Sequence, residues 1–355
     1  MISQKAYNYA EKCRFCWMCR HLCPVQEQTG REINTPRAKG LLLSMEKKGT
    51  VKADPDMARA MFECLLCEAC TDNCATNYDP TLFIREARAE SVADGTAPKT
   101  VMNLIRQAEE TETVFSGAKS DFSQEGTELL VYIGEIAAYR TPEVAEHFLA
   151  VLKKAGVSAR VLKEEPSSGA MLSFLIGFTK EVEEQAARCA RKLNETGLPV
   201  VALDSEDAAI MKHQYPEWGI EIKAGVTTAT EYLAGLIRSG RIERKEERNV
   251  KATVHDDDRL ARTLNEYEPI REAVRAAGFT ILEMYRTKEL AKSAGSAVFS
   301  EYDPELSKRI AAGRWEDAKR TGAKILVASG PSAYYCLKDA APDGYEIKDA
   351  FEILL

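Results

Sequence analysis

Apolar residues recur at helical spacing over the first hundred positions of the chain. The segments TPRAKGLLLSMEKKG, PDMARAMFECLLC, PTLFIREARAESVADG and KTVMNLIRQAEE each predict a helix. Pro36 suits the first turn of the first of these helices, and Gly49 follows its end. A polar stretch with several glycines and serines, residues 111–128, predicts a linker. The pattern therefore predicts a helical domain over residues 1–110.

From residue 129 the pattern changes to short apolar runs that alternate with amphipathic helices. The runs LLVYI, VSARVL and LPVVAL predict strands, and segments such as PEVAEHFLAVLKKAG between them predict helices. This alternation is typical of a mostly parallel sheet covered on both faces. The same order returns with VKATVH, FTILEM and AKILVA, and Gly156 and Gly278 stand at corresponding helix ends. The sequence thus predicts two tandem α/β repeats, 129–240 and 250–355, joined by the charged segment SGRIERKEERN.

Composition narrows the classes of function. The 355 residues carry a net charge of −7 without a long basic tract, which argues against a nucleic-acid partner. Apolar stretches such as MLSFLIGF are too short for a transmembrane segment, and the polar start MISQKAYNYAEK lacks the apolar core of a secretory signal. We expect a cytoplasmic protein, associated with a membrane only through partners. Cytosolic thiols stay reduced, and clustered ones usually hold metal.

Eight of the ten cysteines fall in two runs with the same spacing. The first, CRFCWMCRHLCP, begins at Cys13, and the second, CLLCEACTDNC, begins at Cys64. A disulfide scaffold suits small secreted domains, whereas two zinc ions could also use eight cysteines. Three cysteines at spacings of two, followed by a fourth after three more, match the ferredoxin pattern. The second run ends in Ala75 instead of proline, but proline donates nothing to iron.

The ferredoxin pattern predicts two [4Fe–4S] clusters with crossed ligation, because the fourth cysteine of a run binds the other cluster. Zinc remains the alternative. The apolar residues between the ligands are expected to cover the sulfur atoms, to fill the core of the domain, or both; they are Phe15, Trp17, Met18, Leu65 and Leu66. The predicted ligands are Cys13, Cys16, Cys19 and Cys74 for cluster 1, and Cys64, Cys67, Cys70 and Cys23 for cluster 2.

A helical two-cluster, ferredoxin-like domain followed by two α/β repeats resembles the iron–sulfur subunits of the heterodisulfide reductase and glycerol-3-phosphate/glycolate oxidase family. The resemblance covers nearly the whole chain. It implies that each repeat is a cysteine-rich, CCG-type domain with an early Gly-Cys, a central Cys-Cys-Gly and a late Cys-x-x-Cys. In heterodisulfide reductases these cysteines hold noncubane clusters that cleave a disulfide.

In this chain the frame of both repeats is kept, but the family's cysteines are missing. Gly169 and Gly295 still mark the two central loops. In the first repeat the family's cysteine positions correspond to Glu135, Ser167, Ser168, Asp204 and Asp207, and in the second to Asp258, Ser293, Ala294, Gly330 and Ala333. We therefore expect no noncubane cluster and no catalytic residues.

The acids and lone cysteines of the repeats could bind a metal or react, but each also has a purely structural interpretation. Glu135, Asp204 and Asp207 could bind a hard metal ion, but acids before a helix are commonly N-caps. Cys189 and Cys336 each lie alone on a predicted helix, where a cysteine is usually a packing residue. The four histidines form no motif, and neither a Walker loop nor a Gly-x-Gly-x-x-Gly motif is present. This chain is expected to bind neither flavin nor nucleotide.

The resemblance implies an electron-transfer subunit that passes single electrons through two clusters to or from a flavoprotein partner. One alternative is a catalytic subunit that acts on a disulfide, as in heterodisulfide reductases. Another is a scaffold in which the clusters are purely structural.

Overall fold

A computed structural model describes residues 2–355. Its N-terminal part is helical, and proline follows the N-cap residue in several of the helices. Thr35, Asp54 and Asp79 accept hydrogen bonds from backbone N–H groups of the first turn, and each is followed by proline, which needs no partner there. The helices are α1 Gln4–Cys13, α2 Pro24–Thr29, α3 Pro36–Lys47, α4 Pro55–Phe62, α5 Ala69–Asp72, α6 Pro80–Ala93 and α7 Lys99–Thr111.

The segment between α7 and the first sheet is irregular but not detached. Val114 and Phe115 are buried, and Gln124 forms an isolated antiparallel bridge with Val161. Residues 112–128 therefore lie against the first α/β unit along part of their length.

Two four-stranded sheets follow, and every strand pair within them is parallel. Their orders, β2-β1-β3-β4 and β6-β5-β7-β8, are the same pattern repeated. A helical part followed by two small parallel sheets confirms the predicted α+α/β class at this level. The strands are β1 Leu129–Tyr132, β2 Ala159–Arg160, β3 Val200–Ala202, β4 Val226–Thr228, β5 Lys251–His255, β6 Thr280–Ile281, β7 Ile325–Ala328 and β8 Glu346–Asp349.

Helices connect the strands of each sheet. Single π-helical turns, Ile210–Gln214 and Arg259–Thr263, lie near the altered cysteine positions of the two repeats. The α-helices of the first repeat are α8 Glu135–Tyr139, α9 Pro142–Lys154, α10 Ala170–Ile176, α11 Lys180–Asn194, α12 Ser205–Ala209, α13 Tyr215–Glu217 and α14 Ala229–Arg238. Those of the second are α15 Glu268–Ala276, α16 Ala297–Tyr302, α17 Pro304–Lys319 and α18 Pro331–Asp339.

The helical part shares a hydrophobic core with both repeats. Phe62 and Phe83 belong to the same buried cluster as Leu175 of the first repeat and Phe299 of the second. A second core joins the two sheets through residues such as Phe148 and Trp315. The cysteine runs are therefore fixed against the α/β repeats by apolar packing.

Arg88 reinforces this junction. The side chain is fully buried on α6 and donates to the backbone oxygens of Met61 at 3.0 Å and Phe174 at 2.6 Å. It also donates to the oxygens of Phe62 and Cys64. One guanidinium thus satisfies carbonyl groups at the end of α4, at the start of the second cysteine run and on α10, where unpaired carbonyls would be costly.

Candidate metal centre

The first cysteine run lies between α1 and α2. Cys13 ends α1, and Cys23 is the N-cap of α2. Cys16 and Cys19 lie in the loop between them, and Cys16 is exposed.

The second run lies in a tight loop after α4. That helix ends at Phe62, so the run itself is not the helical continuation that the sequence predicted. Leu66 and Glu68 adopt left-handed conformations, with φ of 51° and 62°, which turn the chain sharply around Cys67. Cys70 lies in α5, and Cys74 follows that helix.

The two runs are interleaved in space. Cys13 interacts electrostatically with Cys19, Cys74 and Cys16, so Cys74 of the second run lies beside the first run. Cys23 interacts with Cys64, which places the last cysteine of the first run beside the second. All eight thiols are free of disulfides. The fold therefore brings the fourth cysteine of each run toward the other run.

The surroundings of these thiols disfavour free thiolates, so they favour a site in which a cation neutralises the thiolate charge. Burial, followed by the charges of neighbouring thiols, raises the pKa of Cys13 and Cys19 to about 12. Burial also raises the pKa of Cys67 to about 12, with Asp258 as the next cause. A buried thiolate needs a nearby cation, and iron supplies one.

Backbone N–H groups point at the sulfur atoms. The N–H of Leu66 donates to Cys64 Sγ at 3.4 Å, and that of Tyr78 donates to Cys74 Sγ at 3.2 Å. Burial alone would raise the pKa of Cys74, but hydrogen bonds led by the Thr76 hydroxyl outweigh it and lower that pKa. Such donors stabilise thiolate ligands, so the donor set fits a thiolate-bound iron–sulfur group.

The apolar residues between the cysteines divide into a buried and an exposed set. Leu65 and Leu66 of the second run are 4% and 1% exposed. Phe15, Trp17 and Met18 of the first run are 71%, 53% and 63% exposed. Phe15, Trp17 and Met18 therefore do not fill the core, because their loop faces solvent, and the covering of sulfur atoms by these residues stays a prediction.

The second run contacts the second repeat through arginines that sequence reasoning missed. Arg259 donates to Leu66 O at 2.9 Å and pairs with Glu68 at 2.6 Å and Glu206 at 2.7 Å. Arg262 donates to Cys67 O at 2.6 Å and pairs with Asp258. Both arginines belong to the segment VHDDDRLAR, whose altered cysteine position was the available signal.

In the first repeat the altered cysteine positions form a hydrogen-bonded group. Ser167 Oγ donates to Glu135 at 2.7 Å, and Ser168 Oγ donates to Asp207 at 2.5 Å. Asp204 accepts from the Glu206 N–H at 2.9 Å as the N-cap of α12, which confirms the cap interpretation for that residue. Each serine hydroxyl thus donates to one carboxylate, while Glu135 Oε2 and Asp207 Oδ2 are buried without a hydrogen-bond partner.

At the corresponding positions the second repeat has fewer side chains with atoms that could bind a metal. Ser293 Oγ donates to Asp258 at 2.5 Å, Ala294 and Ala333 are buried, and Gly330 precedes α18 as its N-cap. Cys336 is buried within 3.8 Å of the Ser300 hydroxyl.

The two remaining cysteines have no exposed surface that would favour reaction. Cys189 and Cys336 are 0% and 4% exposed, and burial raises the pKa of both thiols. Their burial agrees with the packing role that the sequence predicted.

One histidine joins a small polar group away from the cysteines. His147 Nδ1 lies 2.7 Å from Asp349, and these residues and Glu352 place ligand-type atoms within 4.8 Å of one another.

No helix within residues 2–355 is both long and apolar enough to cross a membrane.

The buried acids of the first repeat are expected to make the stability of the protein depend on pH. Burial and then the charge of Asp257 raise the pKa of Asp204 to about 8, and burial and then Asp204 raise the pKa of Asp207. A carboxyl whose pKa is raised on folding binds more protons in the folded state. Its stabilising contribution is present below its ordinary pKa and is lost as the pH rises toward 8.

Asp207→Asn should therefore flatten the pH dependence of stability. The amide resembles the protonated acid, so the variant should unfold at a temperature higher than the natural protein by roughly 3 °C or more at pH 8, with a smaller difference at pH 5. Thermal unfolding between pH 5 and pH 8.5 checks this, with the exposed Asp343→Asn as control. A difference that does not change with pH would show that Asp207 ionises freely in the folded protein.

Both cysteine runs lie within a match to a known protein family. Residues 9–78 match the family model of a 4Fe-4S dicluster domain, and all eight clustered cysteines lie within the match. This part of the chain is similar to 4Fe-4S dicluster domains. The match supports iron–sulfur clusters over zinc, and the number of clusters stays a prediction.

Relatives confirm the resemblance found in the sequence. The chain is 24% identical to the probable iron-sulfur-binding oxidoreductase FadF of Bacillus subtilis, over 82% of this chain and 44% of the relative. It is 23% identical to the EtfAB:quinone oxidoreductase of Syntrophomonas wolfei, over 92% and 48%. A third relative belongs to the dihydromethanophenazine:CoB–CoM heterodisulfide reductase of Methanosarcina mazei, and it is 24% identical over 90% of this chain and 86% of the relative.

The chain spans about half the length of the first two of these relatives. A crystal structure of a hypothetical protein from Helicobacter pylori has the same fold, with a TM-score of 0.60 at 10% identity over 99% of this chain and 72% of that one. The chain is thus similar to iron–sulfur oxidoreductases, and its residues 9–78 are similar to a 4Fe-4S dicluster domain.

Proposed function

We propose that the chain is an electron-transfer subunit of an oxidoreductase complex, with two [4Fe–4S] clusters and a flavoprotein partner. The observation that carries the proposal is the set of eight free thiols within the 4Fe-4S dicluster domain, interleaved between two runs. Cys13, Cys16, Cys19 and Cys74 would hold one cluster, and Cys64, Cys67, Cys70 and Cys23 the other.

A bound [4Fe–4S] cluster supplies reversible one-electron transfer. The protein's contribution is to hold the thiolates, to donate hydrogen bonds to sulfur and to set the access of solvent. The N–H groups of Leu66 and Tyr78 supply two of these hydrogen bonds. Leu65 and Leu66 exclude water from the second run, whereas Cys16 of the first run is exposed. This difference favours exchange with a partner on the side of the first run.

The repeats are proposed to support the clusters and the partner rather than to catalyse a reaction. Catalysis on a disulfide by a noncubane cluster requires thiolates gathered around iron. Here the corresponding positions are serines and acids that hydrogen-bond to one another, or residues without ligand atoms. Arg259 and Arg262 instead tie the second repeat to the second cysteine run.

The partner is inferred from the relatives. One relative is named as an oxidoreductase between EtfAB and quinone, and it is about twice as long as the matched region. We infer from this name that the present chain, too, exchanges electrons with a separate protein. We propose a flavoprotein encoded beside this chain, with the cytoplasm as the location.

The isolated chain should show no turnover with hydroxy acids or disulfides. Addition of the co-encoded flavoprotein and its substrate should bleach the visible absorption of the clusters, because the flavin can then deliver single electrons. Anaerobic stopped-flow absorbance measures this, with flavoprotein lacking substrate as the control. Oxidation of a hydroxy acid by the chain alone at an enzymatic rate would contradict the subunit assignment.

A further inference from the structure

Exposed apolar residues flank one of the predicted cluster ligands in the sequence. We call these residues, Phe15, Trp17 and Met18, the aromatic face. Their exposed fractions are 71%, 53% and 63%, and Cys16, which lies between the first two in sequence, is exposed as well. Large apolar side chains that are exposed together commonly mark an interaction site.

Arginines hold the rings of this face without covering them. The guanidinium carbon of Arg14 lies 3.9 Å from the centre of the Phe15 ring. That of Arg37 lies 3.8 Å from the centre of the Trp17 ring, and Arg37 also donates to the backbone oxygen of Arg14 at 3.0 Å. Stacked guanidinium groups attract aromatic rings and fix their orientation. The face is therefore ordered before a partner arrives, which lowers the entropy cost of binding.

The rim of the aromatic face is positive although the chain is negative. Residues 12–22 contain Lys12, Arg14 and Arg20 and no acid, whereas the whole chain has a net charge of −7. Arg20 pairs with Glu32 at 3.4 Å, and Arg37 pairs with the same carboxylate at 3.0 Å. Arg14 pairs with Glu11 at 2.6 Å, so two acids offset part of the charge of the four cations, Lys12, Arg14, Arg20 and Arg37. A positive rim on a negative protein orients an acidic partner toward this side.

We propose that the aromatic face docks the electron-exchanging flavoprotein, which presents an apolar centre within an acidic rim. The inference rests on the proposed function and adds the place and chemistry of contact. Trp, Phe, Met and Arg are residue types enriched at protein interfaces, and here they are neighbours in sequence of an exposed cysteine that is a predicted ligand. An anionic membrane would also attract apolar and basic residues, so vesicles form a separate arm of the test.

The test uses Met18→Glu in the cluster-loaded chain and the co-encoded flavoprotein as the probe. The substitution places a negative charge on the face, so the dissociation constant measured by biolayer interferometry should rise by about tenfold or more. Phe178→Glu is the matched control. Phe178 lies in the first repeat, is 43% exposed, and also has an arginine, Arg85 of α6, over its ring. Its dissociation constant should equal that of the natural chain.

A second variant guards against damage to the cysteine loop. Lys12→Glu lies on α1, outside the intervals between cysteines, and should weaken binding at 50 mM salt but much less at 500 mM. Both variants are compared only at the iron content of the natural chain. The same affinity for all variants, with normal cluster reduction, would overturn the docking site and leave the proposed function standing.

Two other results would also overturn the docking proposal. If the flavoprotein neither binds nor reduces the natural chain, the proposed function fails with it. If vesicles containing phosphatidylglycerol bind the natural chain but not Met18→Glu, while flavoprotein affinity is unchanged, the face is a membrane contact instead.

Discussion

Replacement of Cys23 by alanine should remove the cluster that the second cysteine run holds, although Cys23 belongs to the first. Iron should fall from about 8 to about 4 atoms per chain after anaerobic purification. The physical reason is proximity: the thiol of Cys23 interacts with Cys64, whereas Cys13 interacts with Cys74. The surviving cluster should give the same electron paramagnetic resonance spectrum as the one that survives in Cys67→Ser.

Cys16→Ser provides the comparison that makes this prediction sharp. It should remove or convert the other cluster, so its surviving spectrum should differ from that of Cys23→Ala. Cys189→Ala is the matched control for loss of a thiol, because Cys189 is fully buried in the first repeat, and its iron content should stay unchanged. If Cys23→Ala and Cys16→Ser left the same surviving spectrum, each run would hold its own cluster and the crossed ligation would be wrong.

The central strands and the edge strands β2 and β6 could be predicted from the sequence, and the edge strands β4 and β8 could not. β1, β3 and β7 are short apolar runs because both faces of the sheet are covered, and such runs are visible locally. β4, with the sequence VTT, and β8, with EIKD, carry polar residues at the edge of their sheets. Their pairing is decided by the neighbouring strand, which the local pattern does not contain.

The buried helix α10 was missed for a related reason. Its residues, AMLSFLI, are apolar all round, so they show no periodicity. The helix is recognisable only from its surroundings, which include Arg88 at Phe174 O and the shared core.

The part of the metal centre that is formed by residues close in sequence could be predicted. Spacing alone marks the eight cysteines, because three ligands of a cluster come from one short loop. The arginines that tie this centre to the second repeat lie far away in sequence: Arg259 and Leu66 are 193 residues apart. The exposure of Phe15, Trp17 and Met18 depends on which side of the loop faces the helices, and hydrophobicity alone predicted the opposite.

Both α/β repeats should contain no iron. A noncubane cluster needs several thiolates, but Ser167 donates to Glu135, and Ser293 donates to Asp258. Oxygen ligands suit hard cations rather than iron–sulfur chemistry. The second repeat is the more surely empty, because alanine and glycine at three of its five positions offer no ligand atom. With no iron in the repeats, residues 9–78 would hold the only proposed redox site among the described residues.

An anomalous-scattering map of crystals of the anaerobically purified chain, measured at the iron edge, tests the account most directly. It should show two compact groups of iron, one beside Cys16 and one beside Cys67, with about 8 iron atoms per chain in total. Iron density near Ser167 or Ser293, or two zinc ions in place of iron at the cysteine runs, would contradict it.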